Sequence, residues 1–259
     1  MIDPIAGLAG VVFGLLIGPL LGIGVDRMVE REAPEPDHRC PVCGASLGGA
    51  RTLVPVLSWR AACPNGHGTP WRYPLTDVAA ALAIGLMFGR FIDDPAMLGV
   101  YVVFAAAVVV LAVIDLETKL LVNIGTYPLM LFMAFAILVI SGNQGDTEFL
   151  YQAIVGGSGY TLFFAILYRV YPAGLGFGDV KLAPSLGMAI GWLSQDPFDT
   201  VALVVNSVLI ASLGGSLVGL AIGWRRGNIR KAEIAFGPAM VVGALAVIVA
   251  APWMAVGAR

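Results

Sequence analysis

The chain has 259 residues, 58% of them apolar and only 12% charged, with a mean hydropathy of +0.87. This balance excludes an ordinary water-soluble domain and predicts an all-α polytopic protein whose main partner is the lipid bilayer. A net charge of −2 leaves no basic footprint for nucleic acid.

The chain opens on Met1-Ile2-Asp3-Pro4, which carries a negative charge where a cleaved signal peptide has a basic region. The apolar run behind it is long enough to span, and no A-x-A site follows closely. It is therefore expected to be a retained first transmembrane helix, residues 1–25. Seven further apolar segments follow, giving spans at 5–25, 75–91, 96–114, 121–140, 149–168, 182–193, 201–224 and 234–254. The polar stretch 26–74, rich in Pro, Gly and Arg, is a small loop domain between the first two spans. It has no room for a core of its own without a metal. Residues 75–259 form a seven-helix core.

Glycines at 10, 14, 18 and 22 fall on one face of the first span, and Gly215, Gly219 and Gly223 repeat the spacing in the seventh. Such faces let neighbouring helices approach closely and are read as packing. The sixth span is short. Asp179 to Leu193 covers 15 residues, about 22 Å of helix, against a hydrocarbon core of about 30 Å.

Basic residues set the orientation. With the N-terminus outside, every Lys and Arg except Arg90 and Arg259 faces inward, including Arg27, Arg31, Arg72, Lys119, Arg169, Lys181, Arg225 and Arg226. The outer loops then hold Asp93, Asp94, Asp146, Glu148, Asp196 and Asp199.

Two carboxylates mark the inner face. Asp115 ends the third span in Ile114-Asp115-Leu116-Glu117-Thr118-Lys119, and Asp179 opens the sixth in Gly174-Leu175-Gly176-Phe177-Gly178-Asp179-Val180-Lys181. A charge at the edge of a bilayer is costly without a partner or a task. Two carboxylates in a poorly solvated site share a proton, so one can serve as base toward water while the other donates a proton. The plain alternative is an interfacial charge near Lys119 and a loop charge beside Lys181. Glu117 is a weaker partner for Asp179, since two residues of helix turn it to a different face from Asp115.

In the loop, Cys40 and Cys43 have knuckle spacing, and Cys63 follows. With His67 they form a candidate Cys3His zinc set, with His38 as a competing ligand. The other reading is a metal-free loop with three free thiols; a disulfide does not suit a loop facing the reducing cytoplasm.

Gly176-Phe177-Gly178-Asp179 with Lys181 resembles the G-x-G-D-x-K signature of the type IV prepilin peptidases, membrane aspartic proteases of the GxGD type. Asp115 stands where that family has its first catalytic aspartate. Phe236-Gly237-Pro238, Cys40-Pro41-Val42-Cys43-Gly44, Pro55-Val56-Leu57-Ser58-Trp59 and Arg72-Tyr73-Pro74-Leu75 resemble further blocks in the same order. The resemblance covers nearly the whole chain.

It implies a membrane endopeptidase of the cytoplasmic (inner) membrane. Such an enzyme cleaves the leader of prepilin or pseudopilin precursors on the cytoplasmic side, working beside pilus or secretion assembly machinery. Asp115 and Asp179 would be the catalytic pair, with Gly176, Gly178 and Lys181 in support. The family form has a second C-x-x-C, which places a cysteine at 66; this chain has Gly66, then His67. Many members also methylate the new N-terminus with S-adenosylmethionine. Here Leu53 and Asp77 replace the usual asparagine and glutamate, so this activity rests on resemblance alone. A proton-coupled transporter and a non-catalytic assembly scaffold are the competing functions; cleavage of a precursor that is lost on aspartate substitution separates them.

Overall fold

The computed structural model describes residues 2–32, 43, 45, 63, 65–68, 71–145, 147–172, 175–225 and 235–254. Among these, eight helices form and no strand: α1 Pro4–Glu32, α2 Arg72–Phe91, α3 Pro95–Thr118, α4 Asn123–Gln144, α5 Thr147–Val170, α6 Phe177–Gly191, α7 Pro197–Arg225 and α8 Gly237–Met254. The eight expected segments are all helical. Six of them, α1 to α5 and α7, are long and apolar enough to cross a membrane, so the protein is a multi-pass membrane protein. At 15 residues α6 falls short, and α8 is likewise a shorter apolar helix. Much of the 26–74 loop lies outside the described residues, including Cys40, His38 and the Pro55–Trp59 block.

Helix starts follow local chemistry. Three helices open on an Asp-Pro pair, with the aspartate at the cap and the proline at the first helical position, where its missing N–H costs nothing. Asp3 Oδ1 accepts from Ile5 N at 2.8 Å and Ala6 N at 3.1 Å. Asp94 Oδ1 accepts from Ala96 and Met97 N, both at 3.1 Å. Asp196 Oδ1 accepts from Phe198 N at 2.7 Å and Asp199 N at 3.3 Å. Gly145 closes α4 with a left-handed φ of 69°, a conformation that suits glycine.

The chain divides into two compact units, Met1–Glu117 and Thr118–Arg259. In the first, the glycine face of α1 lies on α2, as the spacing predicts. A Cβ on Gly14 would stand 2.6 Å from Ala81 Cα, one on Gly18 2.8 Å from Asp77 Cα, and one on Gly10 2.6 Å from Phe88 Cβ. The backbones therefore touch where α-carbons bear only hydrogen.

In the second unit α6 is central, with α4, α5, α7 and α8 all against it. Its Leu182, Ala183, Leu186, Ala189 and Ile190 are fully buried. This explains how a 15-residue helix is tolerated: it is surrounded by protein and need not match the bilayer thickness. Gly156 and Gly157 of α5 meet Gly187, Met188 and Gly191 of α6 at backbone contact. In α7, a Cβ on Gly215 would approach Phe236 at 3.2 Å and Ala239 at 3.4 Å. Several polar side chains inside this unit are paired, whereas Ser185 Oγ of α6 is buried without a hydrogen-bond partner among the described residues. Tyr160 Oη lies 3.2 Å from Ser207 Oγ, Trp192 Nε1 donates to Ser141 Oγ at 3.0 Å, and Thr200 Oγ1 donates to Gln152 Oε1 at 2.8 Å.

Candidate functional site

Asp115 lies in the last turn of α3 and is only 5% exposed. Its neighbours Leu116 and Glu117 point outward. The helix ends three residues later, where Lys119 takes a left-handed φ of 56°. The third span thus runs slightly beyond its expected end, and Asp115 sits inside it.

Asp179 is also 5% exposed. The sixth helix starts earlier than its apolar run, at Phe177, so Asp179 occupies its first turn. Gly176 is the cap. Its N–H donates to Asp179 Oδ2 at 3.2 Å, and Asp179 N–H donates to Gly176 O at 3.1 Å. A carboxylate in a first helical turn also complements the helix dipole.

The motif glycines differ in role. A Cβ on Gly178 would stand 2.7 Å from Leu121 Cβ, so only glycine lets the start of α6 approach the segment before α4. Gly176 is extended, at φ −73°, and a Cβ there would meet Asp179 Oδ2 at an ordinary 3.5 Å. Lys181 Nζ donates to Asn123 Oδ1 at 2.6 Å and lies 5.0 Å from the Phe177 ring centre and 5.8 Å from that of Tyr127. Its cation ties the first turn of α6 to that of α4.

In the N-terminal unit, Cys43, Cys63 and His67 come together, with one ligand atom from each within 4.8 Å of the others. The two sulfurs are 3.1 Å apart, well beyond the length of a disulfide bond between them. Cys63 N–H donates to His67 O at 3.0 Å and Gly66 N–H to Cys63 O at 2.8 Å, closing a tight turn in which Gly66 has φ +81°. Any side chain at 66 would be strained there, so glycine makes the turn and the next residue reaches the cluster.

Asn65 N–H donates to Cys63 Sγ and Asn65 Nδ2 to Cys43 Sγ, each at 3.4 Å. Such donors favour the thiolate form that binds metal. His67 Nδ1 is buried with no hydrogen-bond partner. An unsatisfied nitrogen beside two sulfurs fits a soft or borderline metal ion. Cys63 packs on Tyr73 at the start of α2.

Sequence reasoning passed over a polar cluster in the same unit. It joins Asp26 of α1, Arg72 and Tyr73 of α2 and Glu117 of α3. Arg72 Nη1 donates to Glu117 Oε1 at 2.7 Å, Arg72 Nε lies 3.1 Å from Asp26 Oδ1, and Tyr73 Oη donates to Asp26 Oδ2 at 2.9 Å. The one available signal was the pair of acids at 26 and 117 flanking apolar runs.

Residues 102–223 match the Type IV leader peptidase family, and residues 12–91 match the Bacterial Peptidase A24 N-terminal domain. Asp115, Asp179 and Lys181 fall in the first range; Cys43, Cys63, His67 and Arg72 fall in the second. A protein of Dickeya chrysanthemi named prepilin leader peptidase/N-methyltransferase is 31% identical over 272 residues, covering 91% of this chain and 89% of its own. One of the same name from Burkholderia pseudomallei (strain K96243) is 33% identical over 225 residues, covering 82% and 67%. Another from Bacillus subtilis (strain 168) is 26% identical over 243 residues, covering 90% of each. No solved structure matches the chain.

Proposed function

The chain belongs to the type IV leader peptidase family, and from that premise we propose that Asp115 and Asp179 act as a pair on the leader of a prepilin-like precursor. The observation that carries this reading is that each carboxylate is 5% exposed at a helix end in a highly apolar protein. Burial of that depth is expensive for a charge with no task.

One carboxylate, ionised, takes a proton from water as the water oxygen bonds to the scissile carbonyl carbon. The other, protonated, gives its proton to the carbonyl oxygen. As the tetrahedral gem-diol collapses, the carboxyl that took the water's proton gives it to the amide nitrogen, the other carboxylate takes a proton back from a gem-diol hydroxyl, and the C–N bond breaks. The products are a free leader carboxylate and a new amine, with no covalent enzyme intermediate. The inward bias of Lys and Arg supports a cytoplasmic-side reaction with the N-terminus outside. A substrate helix lying in the bilayer then presents its scissile bond at the inner interface.

Asp115→Asn and Asp179→Asn should each abolish cleavage of a purified prepilin while the protein still inserts and runs as a folded monodisperse peak. Cleavage at the normal rate by either variant refutes the pair.

The loop cluster is read as a structural zinc site, with Cys40 completing Cys43, Cys63 and His67. When bound, the ion would fix the loop against the start of α2, where Cys63 packs on Tyr73. Elemental analysis should give about one zinc per chain, falling toward none in Cys63→Ser with peptidase activity retained. A near-zero value in the parent protein, with its thiols reduced, removes the site.

The relatives' names include N-methyltransferase. Asp77, one of the positions that departs from the family pattern, is buried at 1% where α2 meets Gly18 of α1. No step is assigned to S-adenosylmethionine.

A further inference from the structure

The end of α3 that carries Asp115 is gripped from one side. Arg72, the first residue of α2, reaches Glu117 of α3 through Nη1 at 2.7 Å and Asp26 of α1 through Nε at 3.1 Å. Tyr73 Oη holds the second oxygen of Asp26 at 2.9 Å. One cation on the second helix thus serves an anion on each of the other two. Successive residues of an α-helix turn by about 100°, so Glu117 projects roughly 200° around the axis from Asp115. The contact therefore holds the side of α3 away from Asp115.

Side-chain exposure grades along the cluster, from 4% at Asp26 through 20% at Arg72 to 29% at Glu117. Asp26 is a deep anchor and Glu117 a shallow one. A guanidinium suits this task because Nη1 donates to Glu117 Oε1 while another edge of the same delocalised charge lies 3.1 Å from Asp26 Oδ1, an ion pair without hydrogen-bond alignment. The compact charge of lysine cannot span both in fixed directions.

We propose that Arg72 is a positioning residue for the peptidase. Through Glu117 it fixes the rotation of the last turn of α3, and so the direction in which the Asp115 carboxylate points. This rests on the reading of Asp115 as one half of the catalytic pair. Direction matters because a misplacement of about 1 Å at a reacting group can cost on the order of a hundredfold in rate. Docking of an apolar substrate helix has no such dependence on the carboxylate, so the turnover number and KM should separate.

The test uses the full-length protein in detergent with a purified prepilin. Glu117→Gln leaves the Asp26–Arg72 pair intact and should fold normally. It should lower kcat about tenfold with KM within about twofold. Arg72→Gln should do the same or more, and Arg72→Lys should fall between parent and Arg72→Gln. The double variant Arg72→Gln/Glu117→Gln should be no slower than the slower single, since both act through one contact.

Unchanged kcat in folded Glu117→Gln overturns the proposal, as do losses that multiply in the double variant or that appear only in KM. Should Arg72→Gln leave Asp26 buried without its cation and fail to fold, Glu117→Gln and Arg72→Lys decide. Asp115→Asn is run alongside. If it still cleaves, the catalytic reading falls and takes this role with it. If it is inactive while the Glu117 and Arg72 variants keep full kcat, only the positioning role falls.

Discussion

Asp115 and Asp179 have equal burial at helix ends, but the helices beneath them are secured by different means. In the N-terminal unit the last turn of α3 is held by charge, through Arg72 and the acids at 26 and 117. In the C-terminal unit α6 is held by contact. Its body lies backbone to backbone on α5 through Gly156, Gly187 and Gly191, and its first turn is closed by its own cap at Gly176. Depth accounts for the contrast. Glu117 keeps 29% of its side chain exposed, so a charged pair there retains some hydration and is not ruinously costly. The middle of α6 has no water to hydrate a charge, and close packing is the available adhesive. The first arrangement adjusts direction; the second determines whether the unit forms at all.

The largest expected effect therefore comes from breaking the glycine contact. A Cβ on Gly187 would fall on the Gly156 carbonyl oxygen and stand 2.7 Å from Tyr160 Cβ. These are backbone and near-backbone atoms, which cannot swing aside. Gly187→Leu should prevent α5 and α6 from packing, giving aggregation on solubilisation and loss of protease resistance. Gly187→Ala should cost about 1–3 kcal/mol in a reversible detergent unfolding assay, the usual range for overpacking. Gly159, on the same α5 helix, has nothing within 4 Å of its would-be Cβ, so Gly159→Ala should be neutral or gain up to about 1 kcal/mol. Equal gains at 187 and 159 would mean that helix propensity, and not contact, governs this unit.

These contacts show what can and cannot be read from a linear sequence. Features with a short period were legible. The four-residue glycine repeat of α1 predicts its packing face, apolar runs locate all eight helices, and close-set Cys and His residues predict the cluster of Cys43, Cys63 and His67. Pairings between distant segments left no periodic trace. Arg72 and Glu117 are 45 residues apart, and Arg72 registers in the sequence only as one more inward charge.

For the same reason α1 was expected to stop near residue 25 but runs to Glu32. A helix entering polar sequence looks finished unless one knows that Asp26 has Arg72 and Tyr73 waiting. The start of α6 was hidden in the opposite way, because Gly-Phe-Gly-Asp resembles a loop. It becomes the first helical turn since Asp179 caps the backbone behind it and Gly178 fits against Leu121. The acids assigned to outer loops also have local work. Asp94 and Asp196 cap α3 and α7, so the orientation rests on the Lys and Arg bias rather than on them.

The comparison can be sharpened at Lys181, where α6 does use a cation. Lys181 Nζ donates to Asn123 Oδ1 at 2.6 Å, with the Phe177 and Tyr127 rings on its flanks. If Lys181 serves to hold the first turn of α6 to that of α4, removing either partner should have the same consequence. Asn123→Ala and Lys181→Met should each cost about 1 kcal/mol, the scale of a solvent-accessible hydrogen bond to a charged group. The two losses should not add in the double variant, because the contact is already gone. Prepilin cleavage should then fall by a similar modest factor in both. A Lys181→Met variant that is inactive beside a nearly normal Asn123→Ala would give the cation a direct part in the chemistry. The C-terminal unit would then rely on charge for function while relying on glycine for form, and the contrast with Arg72 would narrow to a difference of distance from the reacting bond.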